Sequence, residues 1–364
     1  MTARKIRHRF SIQKPADFNS MKRKSTLIFI LVLFICSRSF AQAMHDSLYY
    51  TTFPNALTVR LYSLKDFANF SLASSNGNSK MQYRSNTTVN LGAGLTYKNV
   101  SGNLSFGFGF LNNKTEEKGK TSTIDFQLHF FPSKWTSDVL FLRYKGFYAN
   151  RELQPHIAGN NIYYRPDISL NLLGGSLYRI QNGSRFSYRT AFYQNEWLRK
   201  SSGSFLYGGA AYYQGISSDD SSLLIQKTTG AALPGLNNFH FITIGPGAGY
   251  AQSLVFKHHF YIIGSAIINA NVVFATNETT TGKDRRTGIE PSLNFKTAAG
   301  YAGNRWNVSL SWAGNVLIAK QPFAEKANVF PTSEVRFTVA RHIMLKKPIP
   351  VVGNVIEKIF GKGY

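Results

Sequence analysis

The residues able to do chemistry stand in alternating rows. Along Thr123–Phe130 the odd positions carry Thr123, Asp125, Gln127 and His129, and the even ones carry Ile124, Phe126, Leu128 and Phe130. Read in the same way, Arg143 and Lys145, Asp167, Arg185 and Arg189, and Glu334, Arg336 and His342 join one inward polar set. The plainest role for charges of both signs on one sheet face is to pair across strands and hold the shape of the sheet. A second role is selection of a small anionic solute, because rings of Arg and Lys line anion-conducting passages. A third is nucleophilic attack on lipid, which needs a Ser beside a His that is oriented by an acid or amide. His129, His156, His240, His258, His259 and His342 supply bases and Ser is plentiful, but no Gly-x-Ser-x-Gly elbow occurs. His258-His259 looks like a metal pair, yet adjacent strand residues point to opposite faces and cannot share one ion; in a turn that objection weakens. Gly245-Pro246-Gly247-Ala248-Gly249 lies inside an alternating run with no helix after it, which speaks for close strand packing and against a dinucleotide loop. The reading is therefore no enzyme, no cofactor and no metal, with an outer-membrane lipid-modifying hydrolase as the alternative.

These residues need strands to hold them. Period-two alternation recurs at Thr88–Lys98, Asn103–Phe110, Asp167–Leu172, Trp306–Val316 and Glu334–His342. The runs are often longer than the ~5–6 residues of soluble strands. Their polar face is Gly, Ser, Asn and Thr with few charges, as in an enclosed lumen. Aromatics gather near the strand ends: Tyr97, Phe131 and Trp135, Phe147 and Tyr148, Tyr163 and Tyr164, Tyr212 and Tyr213, Tyr250, Tyr301 and Trp306. Such rings form girdles at the headgroup level of a bilayer. Short connections (99–102, 181–184, 303–304) alternate with long polar ones (112–120, 150–165, 277–288, 321–332), the asymmetry of outer-membrane barrels. The fold class predicted is all-β, a single antiparallel transmembrane β-barrel of about 12–14 strands. Fourteen are favoured, running from 56–64 to 333–343 and including 184–195 and a weak one at 221–228.

Composition agrees. The chain has 364 residues, 42 Lys and Arg against 18 Asp and Glu, a net charge of +24, and 14% aromatic residues. No apolar run reaches the ~18 residues of a membrane helix. The single Cys, Cys36, excludes a disulfide scaffold. Met21-Lys22-Arg23-Lys24, the apolar run Leu27–Ile35, and small residues at Ser39 and Ala41 predict a secretory signal peptide over 21–41, with 1–20 an over-extended start. Residues 1–41 carry nine basic residues and one acidic residue, so the chain from 42 onward keeps a charge of +16. The partners predicted are outer-membrane lipid and lipopolysaccharide, and a small anionic solute. Nucleic acid is not among them, because the basic residues are spread along the chain and form no stripe.

Several stretches carry a resemblance: Tyr83–Tyr97 (YRSNTTVNLGAGLTY), Phe141–Tyr148 (FLRYKGFY), Tyr164–Asp167 (YRPD), Arg185–Arg189 (RFSYR), Arg199–Gly209 (RKSSGSFLYGG) and Asp219–Ser222 (DDSS). Together they resemble a Bacteroidota family of exported proteins, a domain of unknown function whose members are outer-membrane barrels. Ser202 departs from it, where a small apolar residue is expected. The resemblance implies the barrel and its place in the outer membrane, and brings no ligand, reaction or catalytic residue. The organisation expected is an N-terminal periplasmic segment at 42–55, the barrel at 56–344, and a periplasmic tail at 345–364. The function expected is a passive pore or transporter of unknown substrate, or a structural envelope protein.

Overall fold

The computed structural model describes residues 45–346 apart from 54, 74–79, 98–99, 108–110, 112–114, 131–133, 151–161, 220–222, 224–235, 280–281 and 323–325. The expected signal peptide, the stretch before it, and all of the C-terminal tail but Leu345 and Lys346 lie outside the described residues. Among the described residues no helix is long and apolar enough to cross a membrane.

The alternating runs form long antiparallel strands. They are β2 (Ala56–Ala73), β3 (Lys80–Arg84), β4 (Val89–Tyr97), β5 (Val100–Gly107), β6 (Ser122–Phe130), β7 (Trp135–Asn150), β8 (Ile162–Ile180), β10 (Ser202–Ser218), β11 (Asn238–Phe256), β12 (Phe260–Glu278), β13 (Lys283–Ala302), β14 (Trp306–Lys320) and β15 (Ala327–Met344). Two short strands, β1 (Tyr50–Thr52) and β9 (Glu196–Leu198), pair with each other outside this sheet. One-turn helices α1 (Thr115–Lys118) and α2 (Arg189–Phe192) sit in connections.

The sheet of thirteen strands closes on itself. Its ring holds ten: β2, β15, β14, β13, β12, β11, β10, β8, β7 and β3. Closure rests on β15 against β2, from Thr332 opposite Ala68 to Met344 opposite Ala56, and on Arg84 opposite Tyr148 between β3 and β7. β4 continues the line of β3 along β2 and carries β5, while β6 hangs from β7. Among the described residues β5 pairs with β4 and β6 with β7, so the wall has a seam where β5 and β6 face each other unpaired.

The apolar rows face outward. Ile268 on β12 is 64% exposed, and Leu61, Leu104, Ile244, Leu310 and Phe337 stand on the same outer surface. A contiguous apolar belt of this kind on a closed barrel is the lipid-facing surface of a transmembrane protein. Inside stand Arg60, Tyr62, Asp66, Tyr178, Asn269 and Asn294, all buried. The residue type at 247 follows from this crowding. A Cβ at Gly247 would collide with the Asn269 side chain, which lies across the inner wall to accept from the Tyr178 hydroxyl at 2.7 Å.

Two sequence-based expectations are corrected. Residues 184–195 form no wall strand: after the turn at 181–185 the chain leaves the sheet, makes α2, and returns through β9. Ala191, Tyr193, Gln194, Asn195 and Glu196 are all buried, so the segment has no lipid-facing row. Within the girdle, Tyr164, Tyr213, Tyr250, Tyr301 and Trp306 are exposed, but Tyr97, Phe147, Tyr148 and Tyr212 are buried. Phe131 and most of 221–228 lie outside the described residues.

The outward belt makes a direct test. Ile268→Arg places a charge near the middle of β12. It should cost about 2–4 kcal/mol in a urea titration of folding into lipid vesicles. A change within about 0.5 kcal/mol, usual for a water-exposed surface position, would contradict a lipid-facing wall.

Candidate functional site

The lumen is occupied at the short-turn end. The segment 181–200 folds under the wall and is tied to it by inward side chains of several strands. Arg60 on β2 donates from Nη1 to Tyr193 O at 3.0 Å and to Thr96 Oγ1 at 2.7 Å. Asn307 on β14 donates to Thr190 O at 2.9 Å. The ring nitrogens of His342 on β15 face Asn304 O at 3.0 Å and Gln194 O at 2.6 Å. The N-terminal piece seals the same end: β1 pairs with β9, Tyr50 donates to Gly183 O, and Phe53 packs on the His342 ring. Trp197 donates to His258 O at 2.7 Å. Backbone groups with no ladder to join are thus satisfied by wall side chains, as a buried irregular segment requires.

Toward the loop end the inward rows turn aromatic. Phe70, Tyr83 and Phe147 pack together, as do Phe239, Phe241 and Phe330, and all six are buried. Across β8, β10, β12 and β13, Tyr178, Tyr212, Asn269 and Asn294 bridge one another by hydrogen bonds.

Between these layers lies a chamber of about 440 Å³, floored by Ala191–Gln194 of the cap. Its charged lining is Asp66, Asp125, Asp138 and Glu334 against Lys296 and Arg336, with His129 beside them. Asp138 is the hub of one group: Lys296 Nζ donates to both its oxygens at 2.7 Å and His129 Nδ1 lies 2.7 Å from Oδ1. Asp66, Asp125 and Glu334 make the second group, with carboxylate oxygens within 4.8 Å of one another. Arg336 donates to Glu334 Oε2 at 2.9 Å and lies over the Tyr62 ring. Asn103 and Asp125 face inward by register yet remain exposed, which marks the β5–β6 seam as the place where the chamber meets the outside.

The structure divides the residues singled out from the sequence. Asp125, His129, Glu334 and Arg336 line the chamber. Arg143 and Lys145 do not: Leu140, Leu142 and Tyr144 take the inner row of β7, leaving Arg143 and Lys145 exposed on its outer face, where Lys145 pairs with Asp219. Asp167 is held by Arg165 at 2.7 Å and by Ser218 near the loop end. Arg185 lies at the turn below the barrel, near Asp46 and over Tyr49. Arg189 belongs to the cap, 3.4 Å from Glu196. His258 and His259 sit in a tight turn with positive φ at Lys257 and His258, and the His259 ring stacks between Trp197 and Tyr301. Sequence reasoning missed Asp66, Asp138 and Lys296. Asp66 had a usable signal, since Leu64, Asp66, Ala68, Phe70 and Leu72 continue the inner row of β2.

A family model described as a domain of unknown function, DUF4421, matches residues 44–340. No curated protein matches the chain by sequence. Among solved structures, the chain is similar to the outer-membrane protease OmpT of Escherichia coli, with a TM-score of 0.40 and 8% identity over 80% of this chain and 98% of that one. It is also similar to the CymD monoaromatic hydrocarbon channel, with 0.28 and 10% over 80% and 89%. A Pseudomonas aeruginosa FadL homologue gives 0.22 and 8% over 80% and 90%. At these values none of them says anything about this chain's solute or chemistry.

The cap carries a pH dependence. Burial pushes the Glu196 carboxyl above the usual glutamate range, against the pull of Arg189. A raised folded value means the proton is held more tightly in the docked cap than in the open one. Docking is therefore strongest below the ordinary glutamate pKa of about 4.3 and weakens as pH rises through the raised value. Amide exchange protection across 186–198 should fall between about pH 4 and pH 7. The Glu196→Gln variant should lose that slope. Equal protection at both pH values, or the same slope in the variant, contradicts the assignment.

Proposed function

We propose that this chain, which belongs to the DUF4421 family, a domain of unknown function, is an outer-membrane barrel that holds a small solute in its lumen and admits it through the seam between β5 and β6. The apolar outer belt supports that location, as do the export signal expected at 21–41 and the resemblance to a family of exported proteins. Lipid and lipopolysaccharide would be the surroundings of that belt.

The observation that carries the reading is the chamber between two filled layers. The cap occupies one end of the lumen and buried aromatic side chains the other, while Asn103 and Asp125 at the seam stay exposed. This favours a gated or side-entered barrel over a wide passive pore. The chamber charges, four carboxylates against Lys296 and Arg336, favour a cationic or neutral solute. The anionic solute expected from the sequence drew on the net charge and a basic inward set, of which Arg336 lines the chamber while Arg143, Lys145, Arg185 and Arg189 do not. A hydrolase finds less support. His259 and His342 face backbone carbonyls, and Asp138, which could orient His129 as such an enzyme requires, is instead held on both oxygens by Lys296.

Locking the seam tests entry. The chain has one native Cys, Cys36. Ser105→Cys with Gln127→Cys, joined by a cleavable dithiol cross-linker in purified protein, should reduce solute-driven swelling of proteoliposomes several-fold, and cleavage should restore it. Swelling unchanged by the lock would remove the seam as the entrance. A large conductance in planar bilayers that is insensitive to deletion of 186–195 would overturn the capped-lumen reading.

A further inference from the structure

The acidic group in the chamber has a property that solute entry does not require. Asp66 and Glu334 stand directly opposite each other in the β2–β15 ladder, both on the inner face. Like charges in that relation destabilise a sheet. Asp125 comes from β6, a strand outside the ring, and brings its carboxylate to the same point, with oxygens of all three residues within 4.8 Å of one another. One guanidinium answers them: Arg336 holds Glu334 Oε2 at 2.9 Å. Asp66 is the telling member. It is 1% exposed, lines the chamber, and with all three carboxylates ionised neither of its oxygens has a hydrogen-bond donor; a proton shared with Asp125 is the one internal alternative. A carboxylate shut away from water without a donor is costly enough that it calls for a counter-charge.

We propose that Asp66, Asp125 and Glu334 bind a hard divalent cation, Ca²⁺ before Mg²⁺. Three carboxylates and one guanidinium leave a charge of −2, which a divalent ion cancels. An all-oxygen donor set selects hard cations. The three carboxylate oxygens lie within 4.8 Å of one another, close enough to share one ion. Ca²⁺ accepts an irregular, carboxylate-rich shell of this kind, whereas Mg²⁺ demands near-ideal octahedral geometry and keeps most of its waters. Glu334 contributes the oxygen that Arg336 leaves free, and the rest of the shell is open to water from the chamber. Because two ligands come from the closing ladder β2–β15 and the third from β6, the ion ties the free-edged side of the seam to the ring. The inference does not depend on which solute enters the chamber or on whether one does.

The test uses the full chain, purified in detergent and stripped with a chelator. Tb³⁺ replaces Ca²⁺ in oxygen sites and is excited by nearby tyrosines, of which Tyr62 and Tyr144 line the chamber. We expect saturable Tb³⁺ luminescence with one ion per chain, displaced by Ca²⁺ far better than by Mg²⁺. Asp66→Asn and Asp125→Asn should each weaken it at least tenfold. Asp125 is exposed, so its variant keeps the test valid if loss of Asp66 disturbs folding. Ca²⁺ should also raise the melting temperature of the wild type and not of Asp125→Asn. Unchanged Tb³⁺ affinity in Asp125→Asn, or no Ca²⁺ displacement, overturns the proposal. So does a carboxylic-acid infrared band that persists in Ca²⁺ and disappears in Asp66→Asn, because protons would then hold the cluster together.

Discussion

A strand in hydrocarbon has no water to satisfy its N–H and C=O groups, so each must find a neighbouring strand. That constraint organises this chain. It requires the ladder from β2 round to β15 and back, and it makes the long pairing of β15 on β2 the closure on which the wall depends. It also gives the β5–β6 seam its meaning. Among the described residues its two facing edges have no mutual pairing, so the constraint is unmet there and those groups must find water, a ligand or further pairing, which is why the seam is the proposed entrance. The carboxylate cluster lies at the same place, which is why a bound ion and the state of the seam belong to one account.

The second constraint is the converse one for side chains. Closing the wall traps polar groups inside, and each needs a partner there. The interior answers with layers. Arg60, Asn307 and His342 spend their hydrogen-bonding capacity on the cap, Tyr178 and the asparagines on one another, and Lys296 and His129 on Asp138. Among the described residues Gln214 and Asn277 on the wall also lack partners, but Asp66 is the carboxylate among them and lines the chamber, which is where a ligand is to be sought.

The barrel was legible in the sequence wherever one face is apolar and the other is not. β6 and β14 are such strands, with Asp125, Gln127 and His129 behind Ile124, Phe126 and Leu128, and with Ser309 and Ser311 behind Leu310 and Trp312. β7 resisted, because Val139-Leu140-Phe141-Leu142 is apolar on both faces. Its phase is set by the partner β6, through Asp125 opposite Leu142, and this relation sends Arg143 and Lys145 outward. The cap resisted for another reason. Ala191-Phe192-Tyr193 breaks the alternation, and Gln194 takes φ 51°, a left-handed conformation that interrupts a strand. The acidic cluster joins residues distant in sequence and meets only once the ring closes, so no local pattern announces it.

The central claim is that alternate residues of each wall strand meet lipid and an enclosed interior. Nitroxide scanning of β12 from Ile262 to Phe274 in lipid vesicles measures this most directly. Labels at Ile262, Ile268 and Phe274 should collide freely with oxygen and poorly with a water-soluble nickel chelate, while those at Ile263, Asn269 and Val273 should be shielded from oxygen. Loss of the period-two alternation, or outer positions that collide chiefly with the aqueous chelate, would contradict the barrel as a membrane-spanning wall.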